Sequence, residues 1–367
     1  MRKYLKYIGV VCFIVIISSW LHLNRDRGNQ RENFEYFFKT FEEKYALFEV
    51  KDIDWNALHS QYETRVHDSM TDDELFKIFQ EVLYQLNDKH SYIYRFNEIY
   101  FSGYNLPVLN YFDLLKFDFR VPTDDFSLKL IKRKYLKNDF EKRLLIYSFL
   151  PPMGIRSIFT TGWLSDSIAY IHMTEMSNKT DKVYEAIDDF FEKYDAAHSF
   201  VIDIRDNIGG YSLPVKALAE RFTNNKQIYA ISRLRAPESI NTYQKPENWI
   251  IEPTSQKKYS DRQVALLTNK NTQSAAELLT LMMKTLPNVT LIGDTTTGIF
   301  SDTHIGKLPN GWEYRMSIRK TCDADDLFWE DIGIAPDILI KNEKKDIDNG
   351  IDKVLDYSIQ MLTNKNR

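Results

Sequence analysis

The 367-residue chain combines 48 Lys and Arg with 52 Asp and Glu, a formal net charge of −4, and 43% of its residues are hydrophobic. A mildly acidic chain lacks the positive charge that supplies most nonspecific affinity for nucleic-acid backbones, so we expect no nucleic-acid partner. The 23 Phe, 22 Tyr and 6 Trp argue against extensive disorder, and the length predicts two or three domains. With only two cysteines, Cys12 and Cys322, a disulfide framework or a Cys-rich metal site is excluded, and a thiol nucleophile is disfavoured.

The N-terminus is predicted to be a membrane address. Residues 7–23 contain no Asp, Glu, Lys or Arg, and basic residues flank them on both sides. The run is slightly shorter than the roughly 20 residues of a spanning helix, and it lacks a small-x-small cleavage site. We therefore predict that residues 1–29 form an uncleaved signal anchor rather than a cleaved signal peptide. An ordinary buried helix is the alternative. The positive N-terminal flank predicts a cell-envelope protein whose main part is extracytoplasmic.

Two different regions are predicted to follow the anchor. Residues 30–95 show helical patterning, and residues 71–74 form a Ser/Thr-x-x-Glu capping box that opens an amphipathic segment. Residues 96–160 are rich in aromatics and in alternating stretches such as SLKLIKRKYL between prolines, which predicts a small β-rich insert.

The remainder of the chain is predicted to be an α/β unit. Buried-strand patterns and amphipathic helices alternate through residues 161–345. This alternation predicts a largely parallel sheet flanked by helices, in a mixed α/β fold. Residues 346–367 are predicted to form a C-terminal helix.

The first motif with chemical potential is DIRDNIGG, residues 203–210, at the end of a buried strand. Gly209 and Gly210 permit backbone conformations closed to other residues and can leave peptide N–H groups open to a phosphate or a developing oxyanion. A tight strand-to-helix turn explains the glycines equally well. A Gly-x-x-x-x-Gly-Lys loop is absent from the sequence, so nucleotide binding has little support.

The second motif is Ser274-Ala-Ala-Glu277, directly after a predicted strand. A serine at the start of a helix lies where the helix dipole and free N–H groups favour negative charge, which suits a nucleophile whose substrate becomes an oxyanion. The same spacing is also a capping box that requires no chemistry, and from local spacing alone the cap is favoured.

Four segments together resemble the C-terminal processing, or tail-specific, peptidase family, which includes the tricorn protease core: DIRDNIGG, SAAE, LIGDTTTG (291–298) and EDIGIAPD (330–337). The resemblance implies a crotonase-like peptidase core. It also implies that Ser274 is the nucleophile and that N–H groups of Gly210 and Ala275, with Gly209 beside them, form the oxyanion hole. The positions that would support the site by resemblance are Asp203, Arg205, Glu277 and Thr296.

One departure from the family pattern concerns the general base. Bacterial tail-specific members place a Lys directly after the last Gly of the third segment, whereas Ile299 follows Gly298 here. The tricorn-like branch instead uses a His from the N-terminal half and a Glu before the G-x-x-P-D segment, which by resemblance implies His90 and Glu330. A neutral imidazole can accept the serine proton, and a carboxylate can orient the ring.

Alternative partners for the serine stay open at the sequence level. His304, near Asp302, is the strongest rival base, and Asp331 could replace Glu330 as the orienting carboxylate. Lys307 or Lys320 could restore a Ser–Lys dyad from another direction.

The sequence also bears on ligands and partners. It contains no His-Glu-x-x-His spacing, and we expect neither a metal nor a cofactor. A basic cluster within residues 129–143 is most often a solvated face, although contact with anionic headgroups or a substrate carboxylate is an alternative.

We therefore predict a membrane-anchored, exported serine peptidase with a Ser274–His90–Glu330 triad that acts on a protein or peptide substrate. A non-catalytic protein that binds peptides or apolar ligands on the same fold, or an esterase-type hydrolase, is the alternative. The oligomeric state and the role of the 96–160 insert are not predicted.

Overall fold

The computed structural model of the chain describes residues 29–96, 98–104, 107–110, 125–146, 154–176, 180–237, 240, 242–256 and 258–365. Three helices form the N-terminal layer: α1 (Gln30–Lys44), α2 (Trp55–Glu63) and α3 (Asp72–Leu86). The predicted capping box begins α3, because the Glu74 carboxylate accepts from Thr71 N–H at 2.7 Å and the Thr71 hydroxyl accepts from Glu74 N–H at 3.3 Å. The apolar face of α3 is buried against α1 and α2 in an aromatic-rich core that includes Trp55.

A five-stranded antiparallel sheet covers this helical layer. Its strands are ordered β12 (Thr303–Lys307), β13 (Glu313–Ser317), β1 (Tyr92–Arg95), β2 (Glu98–Phe101) and β3 (Leu109–Asn110). The helical core includes Ile93 and its cross-strand partner Tyr314. Because neighbouring residues of a strand point to opposite faces, Tyr92 and its partner Arg315 belong to the face turned away from the helices.

The predicted α/β unit contains a seven-stranded sheet. The order is β15 (Ile338–Leu339), β11 (Val289–Gly293), β10 (Gln263–Thr268), β7 (Ser199–Asp203), β6 (Ile168–Met173), β5 (Gly154–Trp163) and β4 (Lys137–Ile146). The five strands from β15 to β6 are parallel, and β5 and β4 are antiparallel additions. The predicted largely parallel sheet is therefore confirmed.

Helices pack on both faces of this sheet. One face is covered by α5 (Thr180–Lys193), α6 (Ser212–Glu220) and α7 (Ala275–Lys284), and the other by α4 (Leu128–Lys134) and α9 (Lys353–Lys365). Side chains of the central strands alternate between these two cores, since Phe200 faces the first and Val201 the second. The short helix α8 (Lys344–Asp348) precedes α9, and β14 (Arg319–Asp323), β8 (Gln227–Leu234) and β9 (Glu247–Ile251) form a third, antiparallel sheet.

The region predicted as a β-rich insert contains one wrong element. SLKLIKRKYL was expected to be extended, but most of it forms helix α4, because the Ser127 hydroxyl caps the Leu130 N–H at 3.3 Å and Ile131 is buried against the sheet. The alternation of apolar and basic residues is therefore the surface pattern of a short helix. The strands of the same region divide between two sheets, β2 and β3 in the five-stranded sheet and β4 and β5 in the seven-stranded sheet.

The predicted anchor at residues 7–23 lies outside the described residues. Within the described ranges, no helix combines the length and the apolar character needed to span a membrane.

Candidate active site

The site is built on the loops that follow β7 and β10. These strands are parallel neighbours, so their carboxyl ends meet at one edge of the sheet. The side-chain amide of Asn269 joins the two loops: Asp206 N–H donates to Asn269 Oδ1 at 2.9 Å, and Asn269 Nδ2 donates to Asp206 Oδ1 at 2.8 Å. Gln273 N–H also donates to the Asn207 carbonyl oxygen at 3.0 Å. DIRDNIGG and the segment before Ser274 are thus held side by side.

Ser274 lies on a strained turn between β10 and α7. Its backbone has φ 57° and ψ −122°, a conformation that L-residues rarely adopt and that costs on the order of 1–3 kcal/mol. Gly209 lies against it, since a Cβ added to Gly209 would stand 2.6 Å from Ser274 Cβ and 2.9 Å from the Ala275 nitrogen. Strand, strained serine and helix are the arrangement expected for a nucleophile at a sharp turn.

The three predicted oxyanion-hole residues have different roles in the structure. Gly209 N–H donates to Asn207 Oδ1 at 2.8 Å, and the lack of a side chain at this glycine allows close approach of the backbone to Ser274. The N–H groups of Gly210 and Ala275 donate to no acceptor within the described residues. Gly210 has φ 131° and passes so close to Met176 that an added Cβ would lie 2.0 Å from the Met176 carbonyl oxygen.

Glu277 links the serine to the TTTGIFS segment. Its buried carboxylate accepts from Ser274 N–H at 3.0 Å, from Gly298 N–H at 2.6 Å and from Ile299 N–H at 2.8 Å. Burial raises the pKa of Glu277 to about 7, against the lowering effect of these amides and of the Thr296 hydroxyl. Thr296 Oγ1 also accepts from Ile334 N–H at 2.8 Å. Glu277 and Thr296 therefore organise the backbone next to the serine.

The continuation of the same segment reaches Glu330 and His90. Phe300 N–H donates to Glu330 Oε2 at 2.8 Å, and the Ser301 backbone is among the groups that act on the pKa of His90. Burial, followed by the charge of Asp88, raises the pKa of Glu330 well above its ordinary value. Glu330 and His90, which are distant in sequence, thus interact with two consecutive residues, Glu330 with Phe300 and His90 with Ser301.

His90 is held by the loop between α3 and β1. His90 N–H and the Ser91 hydroxyl donate to the two oxygens of buried Asp88, at 2.9 and 2.6 Å. Burial, and then the positive charge of Arg315, lower the pKa of His90 to about 3, so the imidazole is neutral at neutral pH. Its Nδ1 is buried and has no hydrogen-bond partner in the described structure. A neutral imidazole is the form that can accept a proton.

Asp203 and Arg205 form a buried ion-pair network beneath the DIRDNIGG loop. Arg205 donates to both oxygens of Asp203, at 2.9 and 2.6 Å, and to Asp352 Oδ1 at 3.0 Å. The charge and hydrogen bonds of Arg205 outweigh burial and lower the pKa of Asp203. Asp352 also accepts from Leu355 N–H in α9. The network connects the loop to the C-terminal helix and supports the site from below.

The rival residues lie in other surroundings. His304 Nε2 is 3.3 Å from Lys44 Nζ on the helical side of the five-stranded sheet, where burial and Lys44 lower the pKa of its imidazole. Asp331 pairs with Lys51 at 2.5 Å. Lys320 Nζ lies 3.6 Å from Glu49, and Lys307 is exposed. In the described ranges no group of three or more His, Cys, Asp or Glu side chains is arranged to hold a metal ion.

Comparison with known proteins assigns the fold and the family. The family model described as "Peptidase family S41" matches residues 167–340, and the model described as "Tricorn protease C1 domain" matches residues 27–84. Residues 167–340 of the chain thus form a peptidase family S41 domain. The predicted resemblance to the tail-specific and tricorn-like peptidases is thereby confirmed.

Individual relatives agree with this assignment. The carboxy-terminal processing protease CtpA of Bacillus subtilis (strain 168) is 26% identical over 175 residues, which are 47% of this chain and 35% of CtpA. The match thus spans about a third of the length of that curated relative. The crystal structure of a putative peptidase from Parabacteroides merdae has a TM-score of 0.71 at 23% identity and covers 91% of this chain and 97% of its own. The photosystem II D1 C-terminal processing protease has a TM-score of 0.55 at 13% identity, covering 87% and 94%. These structures share the S41 peptidase fold.

Sequence reasoning missed several residues of the site. Asp88 and Lys51 act on His90 and Glu330, and Arg315 lies beside His90. Asp88 stands within the LNDKHS segment that contains His90, so its position next to the predicted base was an available signal. Lys51 and Arg315 stand in unremarkable segments, and only the fold brings them to the site.

Proposed function

We propose that this S41 family member cleaves peptide bonds with Ser274 as nucleophile, His90 as general base and Glu330 as the carboxylate that orients the imidazole. The observation that carries the proposal is the turn at Ser274. There a strained serine, packed against Gly209, begins a helix beside two N–H groups that have no acceptor in the described structure, those of Gly210 and Ala275. Donors aimed at the position of a developing oxyanion are the largest single source of catalysis in acyl transfer.

The proposed reaction proceeds in two halves. His90, neutral because burial lowers the pKa of its ring, takes the Ser274 proton as Oγ attacks the substrate carbonyl. The Gly210 and Ala275 N–H groups donate to the resulting oxyanion, and the imidazolium then protonates the leaving amine. A water molecule releases the acyl group by the same route, with His90 again as the base.

Glu330 gives this mechanism a pH requirement. Only the ionised carboxylate stabilises the imidazolium, and burial beside Asp88 raises the pKa of Glu330. Activity is therefore expected to increase with pH well above the ordinary range of a glutamate. A Glu330→Gln variant should lose this acid limb of the kcat/KM profile, and an unchanged limb in that variant would assign it to another group.

The location and the substrate belong to the same proposal. The apolar, uncharged residues 7–23 with their basic N-terminal flank support a membrane anchor that places the peptidase outside the cytoplasm. The name of CtpA, a carboxy-terminal processing protease, supports a protein or peptide substrate.

The test is labelling of the full-length protein with a serine-directed phosphonate. Wild type should be labelled at Ser274, and Ser274→Ala should lose labelling and peptide hydrolysis by about 10⁴-fold or more while unfolding at the same temperature. Ser255→Ala, which removes an exposed serine, is the matched control and should behave as wild type. Absence of labelling in folded wild type would favour a ligand-binding protein on this fold, and cleavage of esters alone would favour an esterase.

A further inference from the structure

Arg315 lies beside the proposed catalytic centre. In β13 it is paired with Tyr92 of β1 and with Ile305 of β12, on the face of the sheet turned away from the helices. Its charge acts on the pKa of His90, two residues before Tyr92. Tyr104, which also interacts electrostatically with Arg315, donates its hydroxyl proton to Gln273 Oε1 at 3.2 Å, one residue before Ser274. Arg315 thus interacts with His90 in the loop of the proposed base and with Tyr104, which is hydrogen-bonded to the loop of the proposed nucleophile.

The guanidinium of Arg315 has no partner in the described structure. It makes no hydrogen bond and no ion pair there, and its Nε is buried and unsatisfied. Burial lowers the pKa of Arg315, and the nearby acidic groups, Tyr92, Asp88 and Tyr104, offset this only in part. Isolated buried charges are costly, so they are normally paired.

The buried arginines follow that rule. In the described ranges four arginines are less than 9% exposed, and each has polar partners. They are Arg95 with Asp73 and Glu98, Arg205 with Asp203 and Asp352, Arg221 with Asp188, and Arg235 with the carbonyl oxygens of Glu42 and Tyr45. Arg315 as a whole is half-buried, but its Nε is buried, and it differs from all four in having no polar partner in the described structure.

We propose that Arg315 binds a carboxylate group of the substrate next to the scissile bond. The inference rests on the proposed function and names a feature of its substrate. The planar guanidinium presents donors in a fork that matches a carboxylate with two parallel hydrogen bonds. The carboxylate comes either from an Asp or Glu side chain of the substrate or from its C-terminus, since both present the same two oxygens.

A bound carboxylate would also act on the chemical step. Arg315 disfavours the imidazolium form of His90, and so does Lys51, whereas Asp88 favours it. Glu330 is hydrogen-bonded to the segment that also interacts with His90. Once the Glu330 carboxyl is ionised, its negative charge favours the imidazolium. A substrate carboxylate that neutralises Arg315 removes one of the two opposing charges. Substrates with the carboxylate should therefore have a higher kcat as well as a lower KM.

The test measures binding without catalysis. Full-length protein carrying Ser274→Ala is titrated with a dansylated hexa-alanine peptide as the free acid, as the C-terminal amide, and as amides with one glutamate scanned through the positions. We expect the free acid or one glutamate-containing amide to bind at least about ten times more tightly than the neutral amide. Adding Arg315→Gln should remove that preference and leave the affinity for the neutral amide within about twofold, because one charge-assisted pair is lost. The preferred peptide identifies the source of the carboxylate.

Control variants separate recognition from folding. Lys307→Gln removes an exposed charge from neighbouring strand β12. It should change neither the affinity for the preferred carboxylate peptide nor the affinity for the neutral amide. Arg315→Lys should retain part of the preference. Since Arg315 has no partner to lose, Arg315→Gln should unfold at the same or a higher temperature.

Two results would overturn the inference. One is equal binding, or no binding, of acid, glutamate-containing and neutral peptides. The other is a preference that survives Arg315→Gln. The outcome is independent of hydrolysis: unlabelled Ser274 in wild type would reject the proposed peptidase activity, whereas labelled Ser274 without a carboxylate preference would reject only the role of Arg315.

Discussion

The two sides of the candidate site differ in how completely their polar groups are hydrogen-bonded. On the nucleophile side, the Glu277 carboxylate accepts from three backbone N–H groups, and the side-chain amide of Asn269 joins the loops. On the base side, His90 Nδ1 and Arg315 Nε are buried and lack partners in the described structure. On the nucleophile side, folding alone pairs these side chains and leaves the backbone N–H groups of Gly210 and Ala275 open within the described residues. On the base side, the unpaired atoms belong to side chains. Variants can test whether the nucleophile side is preorganised and whether the base side depends on a bound ligand.

Among the variants that test this contrast, the largest expected effect comes from removing the proposed base. His90→Gln should lower kcat/KM for peptide hydrolysis by about 10²–10⁴-fold, because Ser274 then lacks a proton acceptor. The measurement is steady-state kinetics together with the rate of phosphonate labelling. His304→Gln is the matched control, since His304 lies beside Lys44 and should leave both rates unchanged. Loss of activity in His304→Gln with an active His90→Gln would exchange the two assignments.

The buried network beneath the nucleophile side should dominate stability. Arg205→Ala leaves two buried carboxylates, Asp203 and Asp352, without their cation and should lower the free energy of unfolding by roughly 3–5 kcal/mol. Denaturant unfolding of the full-length protein measures this change. Arg65→Ala breaks the partly exposed pair with Glu81 and should cost about 1 kcal/mol or less. Equal losses in the two variants would show that the network adds nothing to the support of the loop.

The oxyanion-hole glycine should have the next largest effect. An alanine Cβ at Gly210 would stand 2.0 Å from the Met176 carbonyl oxygen at φ 131°, so the loop must move and its N–H must leave its position. We expect kcat to decrease by about 10²–10³-fold, as when one oxyanion donor is lost. Gly311→Ala is the control for backbone strain alone, because Gly311 has φ 88° but open space around its Cβ position. Similar kcat values for both variants would place the oxyanion donor elsewhere.

The nucleophile side was the more predictable from sequence, for a physical reason. DIRDNIGG and SAAE each follow an apolar strand, and parallel strands that are neighbours bring such segments together at one edge of the sheet. Two details still required the structure. Gly209 donates its N–H to the Asn207 side chain, and the ion pair of Asp203 with Arg205 extends to Asp352, which is 147 residues from Arg205 in sequence.

The base side was less predictable from sequence, because its distinguishing feature is a side chain that lacks a hydrogen-bond partner. Arg315 stands in an ordinary alternating strand, and nothing local distinguishes it from an arginine with a partner. SLKLIKRKYL shows a related limit, since alternation over a few residues suits a strand and a short capped helix equally well. The roles of His90 and Glu330 came from family resemblance, and they stay predictions until the variants are measured.

The smallest expected effects are opposite pH dependences of stability on the two sides. Burial raises the pKa of Glu277 to about 7 from an ordinary 4.5, so the folded state binds more protons between these values and stability decreases as pH rises through them. The pKa of His90 is instead lowered from 6.5 to about 3, so stability decreases as pH falls through that window. Each group should contribute a slope of at most about 1.4 kcal/mol per pH unit. Because the two windows overlap, the two slopes offset each other in the wild type between pH 4.5 and pH 6.5. Denaturant unfolding from about pH 4 to pH 8 should therefore show a stability that decreases as pH falls for Glu277→Gln, and one that decreases as pH rises for His90→Gln. If either variant flattened both slopes, the two sides would titrate as one coupled unit, and the contrast between them would not hold.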